Sequence, residues 1–341
     1  MPREANVVKG SKMTEHGNHV AGVDIGGTRI KAGVLDLKGG IIGDKISRPT
    51  EGERGPEATL DGIAGAVLEA IRESGVRKDD LLGLGIGSPG PLNPATGIVY
   101  ETPNIPGWEN LALRDILGEK TGLRAFLDND ANAAAIAELW VGEGREVSTL
   151  VCLTLGTGIG GGVLIDGKVL RGIDGSAAEL GHITINPDGP VCGCGNSGCL
   201  EAFASTKGIL DRTVGGILTG QETLLTKMVA SVDDITPKTI YDAAKQNDAY
   251  AQEVFADLGR YLGIGSASLV NIFNPEMIVL SGGISAAAEE FIIPSMRHEI
   301  DRRTFEIPAK RVQIRVSRLG DDAGVTGAAG VVLHDLGMLS K

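Results

Sequence analysis

One histidine and three cysteines, with a glutamate on either side, make up the segment of this chain best suited to chemistry. It runs Glu179-Leu180-Gly181-His182, then Cys192-Gly193-Cys194 and Cys199, then Leu200-Glu201. Imidazole and thiolate are the ligands zinc takes in tetrahedral sites, and a shell of four protein ligands leaves no position for a reacting water. The pattern predicts a structural zinc on His182, Cys192, Cys194 and Cys199 that braces a loop. One disulfide with loose thiols is the competing use of these residues. Cys192 and Cys194 are too close along the chain to bridge comfortably, and the segment is glycine-rich and polar, whereas Cys152 stands alone in an apolar strand pattern. A braced loop would position Glu179, Glu201 and the ring nitrogen of His182 turned away from the metal, a trio able to hydrogen-bond a polyol.

Two glycine turns come next. Asp24-Ile25-Gly26-Gly27-Thr28 sets a carboxylate at a strand end, ahead of a turn whose bare N–H groups can approach a phosphate, with Lys31 as a nearby positive charge. Alone it reads equally as an ordinary hairpin turn. Its twin is Gly156-Thr157-Gly158-Ile159-Gly160-Gly161-Gly162. This has the form Gly-x-Gly-x-x-Gly, but a dinucleotide fold needs a helix directly afterwards, and Val163-Leu164-Ile165 with Asp166-Gly167 predicts a strand and a hairpin. Residues 162–169 also approach a Walker A loop, yet Val169 stands where Ser or Thr must meet magnesium. Two equivalent turns make sense if they face one cleft and hold successive phosphates of one nucleotide, with Asp24 partnering Mg²⁺ through water. Phosphoryl transfer then needs alignment, charge neutralisation and a base.

Asp128-Asn129-Asp130-Ala131-Asn132, where a strand gives way to a helix, supplies the base candidate. Plain helix capping by Asn129 or Asp130, worth about 1 kcal/mol, is the alternative. A helix N-terminus also favours an ionised carboxylate, which predicts a weakened base. Ser281-Gly282-Gly283 either lets an adenine ring approach the backbone or simply turns a strand into a helix.

The elements that must position these residues follow from periodicity. Val20–Asp24, the alternating Ile30, Ala32 and Val34, and Ile41-Ile42 read as three strands joined by turns, and the same rhythm returns from Leu150 to Leu170. A duplicated β-meander is expected. Leu60, Ile63, Val67 and Ile71 share one helical face, as do Val254, Phe255, Leu258 and Leu262. Further strands are expected at 81–86, 124–127 and 277–280, and helices at 131–140 and 322–336. Repeated strand-then-helix units give the α/β class. At 341 residues two domains are expected. These are 20–127, joined by the C-terminal helix 322–341, and 128–321, carrying the zinc loop 179–201, after a polar tail 1–19.

With aromatics at 4% and 51 glycines, the core must be aliphatic and the loops glycine-built. A net charge of −12 without a dense Lys/Arg run argues against nucleic acid and anionic membranes as partners. Residues 1–19 lack an apolar signal core, no stretch is long enough to span a bilayer, and thiols used as metal ligands fit the cytoplasm.

Taken together, these residues resemble the ROK family of bacterial sugar kinases, repressors and related open reading frames. The resemblance runs from Val20 to Leu336. It rests on Asp24–Thr28, Gly87-Ser88-Pro89-Gly90, Thr102-Pro103-Asn104-Ile105-Pro106-Gly107-Trp108, Asn129-Asp130-Ala131-Asn132, the second glycine turn, Glu179-x-Gly-His182 through Glu201, and Ser281–Gly283. It implies an actin-like, hexokinase-type fold of two ribonuclease-H-like domains that close over the substrates. It further implies ATP and Mg²⁺ beside the structural Zn²⁺. By this resemblance Asp130 is the general base on the sugar 6-hydroxyl. Asn129, Asp130, Glu179, His182 and Glu201 bind the pyranose, and Thr102, Asn104 and the Gly90 backbone also touch it. The nucleotide falls to Asp24, Gly26, Gly27, Thr28, Lys31, Gly156, Thr157, Gly158, Gly282 and Gly283.

The segment from Thr102 to Trp108 resembles the glucokinase branch, while fructokinases and N-acylmannosamine or N-acetylglucosamine kinases use the same catalytic set. Repressor relatives carry a winged-helix domain ahead of the first phosphate loop, and the short polar stretch before Asp24 leaves no room for one, so an enzyme is expected. A sugar and a nucleotide are its expected small-molecule partners, and a homo-oligomer, dimer or tetramer, its expected assembly.

Overall fold

The computed structural model describes residues 17–102 and 105–339, apart from the side chain of Ala286. Asn104 and residues 1–16 of the polar tail lie outside the described residues.

Alternating apolar residues pair into the expected meander. β1 (His19–Ile25), β2 (Arg29–Asp36) and β3 (Ile41–Pro49) run antiparallel, and β4 (Leu81–Ser88) adds in parallel on the free side of β1. Three short strands, β5 (Leu92–Asn93), β6 (Ile98–Glu101) and β7 (Glu109–Leu111), make a small separate sheet. β8 (Ala125–Asn129) completes the first sheet beside β4. The second sheet repeats the plan. β9 (Leu150–Leu155), β10 (Ile159–Ile165) and β11 (Lys168–Val169) form the meander, and β12 (Met277–Ser281) and β13 (Gln313–Val316) extend it in parallel. The strand orders β3-β2-β1-β4-β8 and β11-β10-β9-β12-β13 are the same pattern twice. Each glycine turn therefore sits at the carboxyl end of the parallel strands, where α/β sheets place their sites.

Helix periodicity decides what covers the sheets. α1 (Pro56–Ser74) buries Leu60, Ile63, Val67 and Ile71 against the first sheet, together with Leu113 and Leu117 of α2 (Leu113–Thr121). Each such side chain contributes roughly 1.5–3 kcal/mol before its ordering cost. α3 (Asp130–Trp140) is buried on opposite sides, which explains its alanines. Ala133 and Ile136 meet Val325 and Ala329 of the last helix, while Ala134, Ala135 and Leu139 meet Leu150, Cys152 and Leu164 of the second sheet.

The second sheet is covered by α4 (Leu200–Ala204), α5 (Thr206–Leu218), α6 (Leu225–Met228), α7 (Pro237–Lys245), α8 (Ala249–Phe273), α9 (Ile293–Arg303) and α10 (Glu306–Arg311). Val254, Phe255, Leu258 and Leu262 of α8 fill its core. α11 (Ala323–Asp335) then returns to lie on β1 and β4. Among the described residues no helix is long and apolar enough to cross a membrane.

One boundary differs from the sequence reading. The second glycine turn was expected to run to Gly162, but β10 starts at Ile159 and absorbs the last three glycines. The cause is packing: a Cβ on Gly162 would stand 2.5 Å from the carbonyl oxygen of Ala131 in α3. Those glycines admit a helix, and the turn proper is Gly156–Gly158.

Candidate active site

The end of β8 and the first turn of α3 are held by interlocking hydrogen bonds. Asp128, fully buried, accepts from the Asn129 N–H at 2.8 Å, from Asn132 Nδ2 at 2.9 Å and from Arg171 Nε at 2.8 Å. Asn129 is the N-cap, its Oδ1 accepting from the N–H groups of Ala131 at 2.9 Å and Asn132 at 3.3 Å. That leaves its amide NH₂ free to donate elsewhere. The amide lies beside Gly90, where a Cβ would come within 3.5 Å of it. Capping and ligand binding are thus compatible in one side chain.

Asp130 opens α3, and its Oδ1 accepts from the Ala131 N–H at 2.8 Å. Its carboxyl reaches solvent, yet crowding by the surrounding walls, then the charges of Asp24 and Glu179, raise its pKa to about 6 against the pull of that N–H. The weakened base expected at a helix N-terminus is therefore overturned. A single amide dipole loses to loss of water and two like charges.

Asp24 is half-buried, and its carboxyl is also pushed up, by burial first, with Asp321 adding to the rise and Lys31 opposing it. Lys31 is ion-paired with Asp321, and Lys45 with Asp322, so the positive charge seen near the first turn is already balanced. In that turn the Gly26 N–H donates to the Arg29 carbonyl at 2.9 Å, while Gly27 and Thr28 at the tip are exposed. In the second turn the Gly156 N–H donates to the Gly158 carbonyl at 3.0 Å and Thr157 is exposed at the tip.

A cavity of about 360 Å³ joins the two sheets here, lined by Asp24, Lys31 and its partner Asp321 on one side and Ser281, Gly282, Gly283 and Ser317 on the other. Gly282 is required where it stands: its φ is +92° and a Cβ would lie 2.3 Å from the Leu155 carbonyl oxygen. A larger cavity of about 530 Å³ between α2 and β8, lined by Arg114, Glu119, Arg124 and Asp335, contains none of the residues singled out by sequence.

The cysteine segment gathers as its spacing predicts. One ligand atom from each of His182, Cys192, Cys194 and Cys199 lies within 4.8 Å of the others. His182 Nδ1 is 3.6 Å from Cys192 Sγ, and Cys194 Sγ is 3.7 Å from Cys199 Sγ. A tetrahedral zinc with Zn–S bonds of about 2.3 Å spaces its ligand atoms roughly 3.5–3.8 Å apart, so this set fits the ion with little movement. The sulfurs are far beyond disulfide distance, and all four cysteines are free. With Nδ1 turned to the cluster, Nε2 of His182 is the nitrogen left over.

Glu201 ties the cluster to the second turn. Its Oε2 accepts from the Ile159 N–H at 2.9 Å, and the Cys192 thiol lies 3.4 Å from its Oε1. Glu179 is exposed and follows Ala178, whose φ of +65° is costly for alanine, about 1–3 kcal/mol. Thr102 is buried and its hydroxyl donates to the Ile105 carbonyl at 2.9 Å. Sequence reasoning gave Asp128 no role of its own and missed Arg171, Ser317 and Asp321. Only Asp321 carried a signal, as one of two acids directly ahead of a Gly/Ala-rich helix.

The profile of the ROK family matches residues 20–335. The chain belongs to the ROK family. It is similar to a protein named glucokinase from Halalkalibacterium halodurans, 38% identical over 94% of this chain and 96% of that protein. It is also similar to a xylose repressor from Caldicellulosiruptor bescii, 36% identical over 93% of this chain but 78% of the repressor. Among solved structures, a ROK family glucokinase from Streptomyces griseus in complex with glucose and AMPPNP superposes with a TM-score of 0.78, at 36% identity over 91% of this chain and 98% of that one. The duplicated sheets are those of the actin-like, hexokinase-type α/β fold that the resemblance implied.

Proposed function

We propose that this ATP-dependent sugar kinase takes glucose and transfers the γ-phosphoryl group of ATP to its 6-hydroxyl, with Asp130 as the general base. The observation that carries the reading is the Asp130 carboxyl itself: solvent-reachable, anchored by one backbone N–H, near both Asp24 and Glu179, and with a pKa raised to about 6. A carboxylate with that pKa is ionised at neutral pH and still holds a proton more readily than an ordinary aspartate. Phosphoryl transfer through a loose transition state asks for the hydroxyl proton only late, so a base of this strength suffices.

The remaining residues bind and orient. The Asn129 amide donates to a sugar hydroxyl while its oxygen caps α3. Glu179 and Glu201 accept from hydroxyls, and His182 presents Nε2. The phosphates lie between the exposed tips Gly27-Thr28 and Thr157, with the adenine side toward Gly282 and Gly283. Asp24, beside the Lys31–Asp321 ion pair, offers a hard oxygen donor suited to a hydrated Mg²⁺, which would neutralise phosphate charge when bound with the nucleotide. His182, Cys192, Cys194 and Cys199 are the residues that would hold zinc, which supplies rigidity to the loop carrying Glu179 and Glu201.

ADP release measured over glucose, mannose, fructose, N-acetylglucosamine and N-acetylmannosamine tests class and substrate together. Glucose is expected to give the highest kcat/KM. No turnover with any hexose, together with tight, salt-sensitive binding to an operator-length duplex, would overturn the kinase reading.

A further inference from the structure

Arg171 comes from the second sheet's hairpin, directly after Leu170, whose N–H donates to the Val163 carbonyl at 2.8 Å. Its guanidinium nevertheless ends in the first sheet. Nε is 2.8 Å and Nη2 2.7 Å from Oδ2 of Asp128, and Nη2 is also 2.7 Å from Oδ1 of Asp335 at the end of α11. Asp128 has no solvent exposure, so its charge depends on these bonds. Its other oxygen holds the Asn129 N–H and the Asn132 side chain, the two sides of the turn that carries Asp130. Burial pushes the Asp128 carboxyl up, and the charge of Arg171 is the largest influence opposing it.

We propose that Arg171 and Asp128 are positioning residues, a buried ion pair through which the second sheet sets the placement of Asp130 for proton abstraction. The proposal rests on the reading of Asp130 as the base. Neither residue lines the nucleotide cavity or belongs to the cysteine cluster. Their influence therefore reaches the reaction through the first turn of α3. The guanidinium grips one oxygen of Asp128 through two nitrogens while reaching Asp335, a planar arrangement of donors that a single ammonium cannot reproduce. Displacement of a reacting group by about 1 Å can cost on the order of 100-fold in rate.

The test is a double-mutant cycle on kcat, with metal content and melting temperature measured on each variant. Arg171→Met is expected to lower kcat 10- to 100-fold while the KM for ATP changes less than threefold, and Arg171→Lys to fall between it and the parent. In the Asp130→Asn background, Arg171→Met is expected to change the residual rate less than threefold, because no base remains to be misplaced. A merely structural role would lower both backgrounds alike. Should Arg171→Met fail to fold, the neutral pair Arg171→Met with Asp128→Asn carries the test. Its amide keeps an acceptor for the Asn129 N–H and Asn132 without needing a cation, and kcat should return to within about fivefold of the parent. A kcat within threefold of the parent in Arg171→Met, an equal loss in the Asp130→Asn background, or a neutral pair that folds without recovering turnover overturns the proposal. Retention of more than a tenth of the parent rate by Asp130→Asn alone is a separate result. It removes the base assignment, and this inference with it.

Discussion

Replacing Asp130 by asparagine, and following the parent enzyme across pH, interrogates the group proposed to take the hydroxyl proton. Burial and the charges of Asp24 and Glu179 raise its pKa to about 6 from an ordinary 3.8. With a base of that pKa, kcat/KM for glucose is level above about pH 7, half-maximal near 6, and about one-eleventh of the plateau at pH 5. An aspartate with an unperturbed pKa near 3.9 would still be more than nine-tenths ionised at pH 5. The two cases differ roughly tenfold at a single pH. The asparagine variant should lose about 10²- to 10⁴-fold in kcat with glucose affinity near that of the parent.

Stability gives a second sign. A carboxyl that binds its proton more tightly folded than unfolded lowers stability progressively as pH rises between about 4 and 6, and the penalty is complete above that window. The asparagine variant lacks the penalty, so at pH 8 its melting temperature is expected to equal or exceed that of the parent. Direct ADP quantitation at fixed ionic strength, glucose calorimetry and thermal unfolding supply the data. A rate level down to pH 5, or a folded variant retaining more than a tenth of the turnover, refutes the assignment.

Two further outcomes follow from the site. Cys194→Ser should lower zinc content and weaken glucose binding together, since His182 belongs to the cluster and is proposed to bind the sugar; a zinc-free protein with unchanged sugar affinity would contradict this. Gly282→Ala places a methyl 2.3 Å from the Leu155 carbonyl at a φ of +92°, so a loss of more than about 2 kcal/mol in stability and a KM for ATP raised at least tenfold are expected, with glucose calorimetry little changed.

Local chemistry was legible in the sequence and long-range partnership was not. The four candidate metal ligands lie within a short segment whose spacing already describes a coordination shell, and they gather as expected. The alternation of β1 and β2 and its return in β9 and β10 gave the duplicated plan, because period and turn chemistry are local properties. Arg171 escaped notice because nothing within the sequence around it marks it as a partner of Asp128, and only the fold brings the second sheet's hairpin to the end of β8. The second glycine turn was read too long for the same reason: Gly162 answers to Ala131, a residue of another element. The charge state of Asp130 failed differently. A helix N-terminus can be seen in sequence, whereas Asp24 and Glu179 approach it only after folding.

That convergence also explains why the site is organised from several segments. Asp24 ends β1, Asp130 opens α3 and Glu179 follows the strained Ala178, so three acidic groups come from parts of the chain that are each fixed by other contacts. Asn129 holds the helix, Arg171 neutralises Asp128, and the cysteine cluster fixes the loop beyond Glu179. Asp24 and Glu179 both oppose a charge on Asp130, and with burial they raise its pKa to about 6 in the free protein. What they lack is a set of donors, and a hexose brings hydroxyls just as a nucleotide brings a cation. On the proposed reading, part of the binding energy comes from relief of the repulsion on Asp130, which a site assembled on one rigid element would not hold.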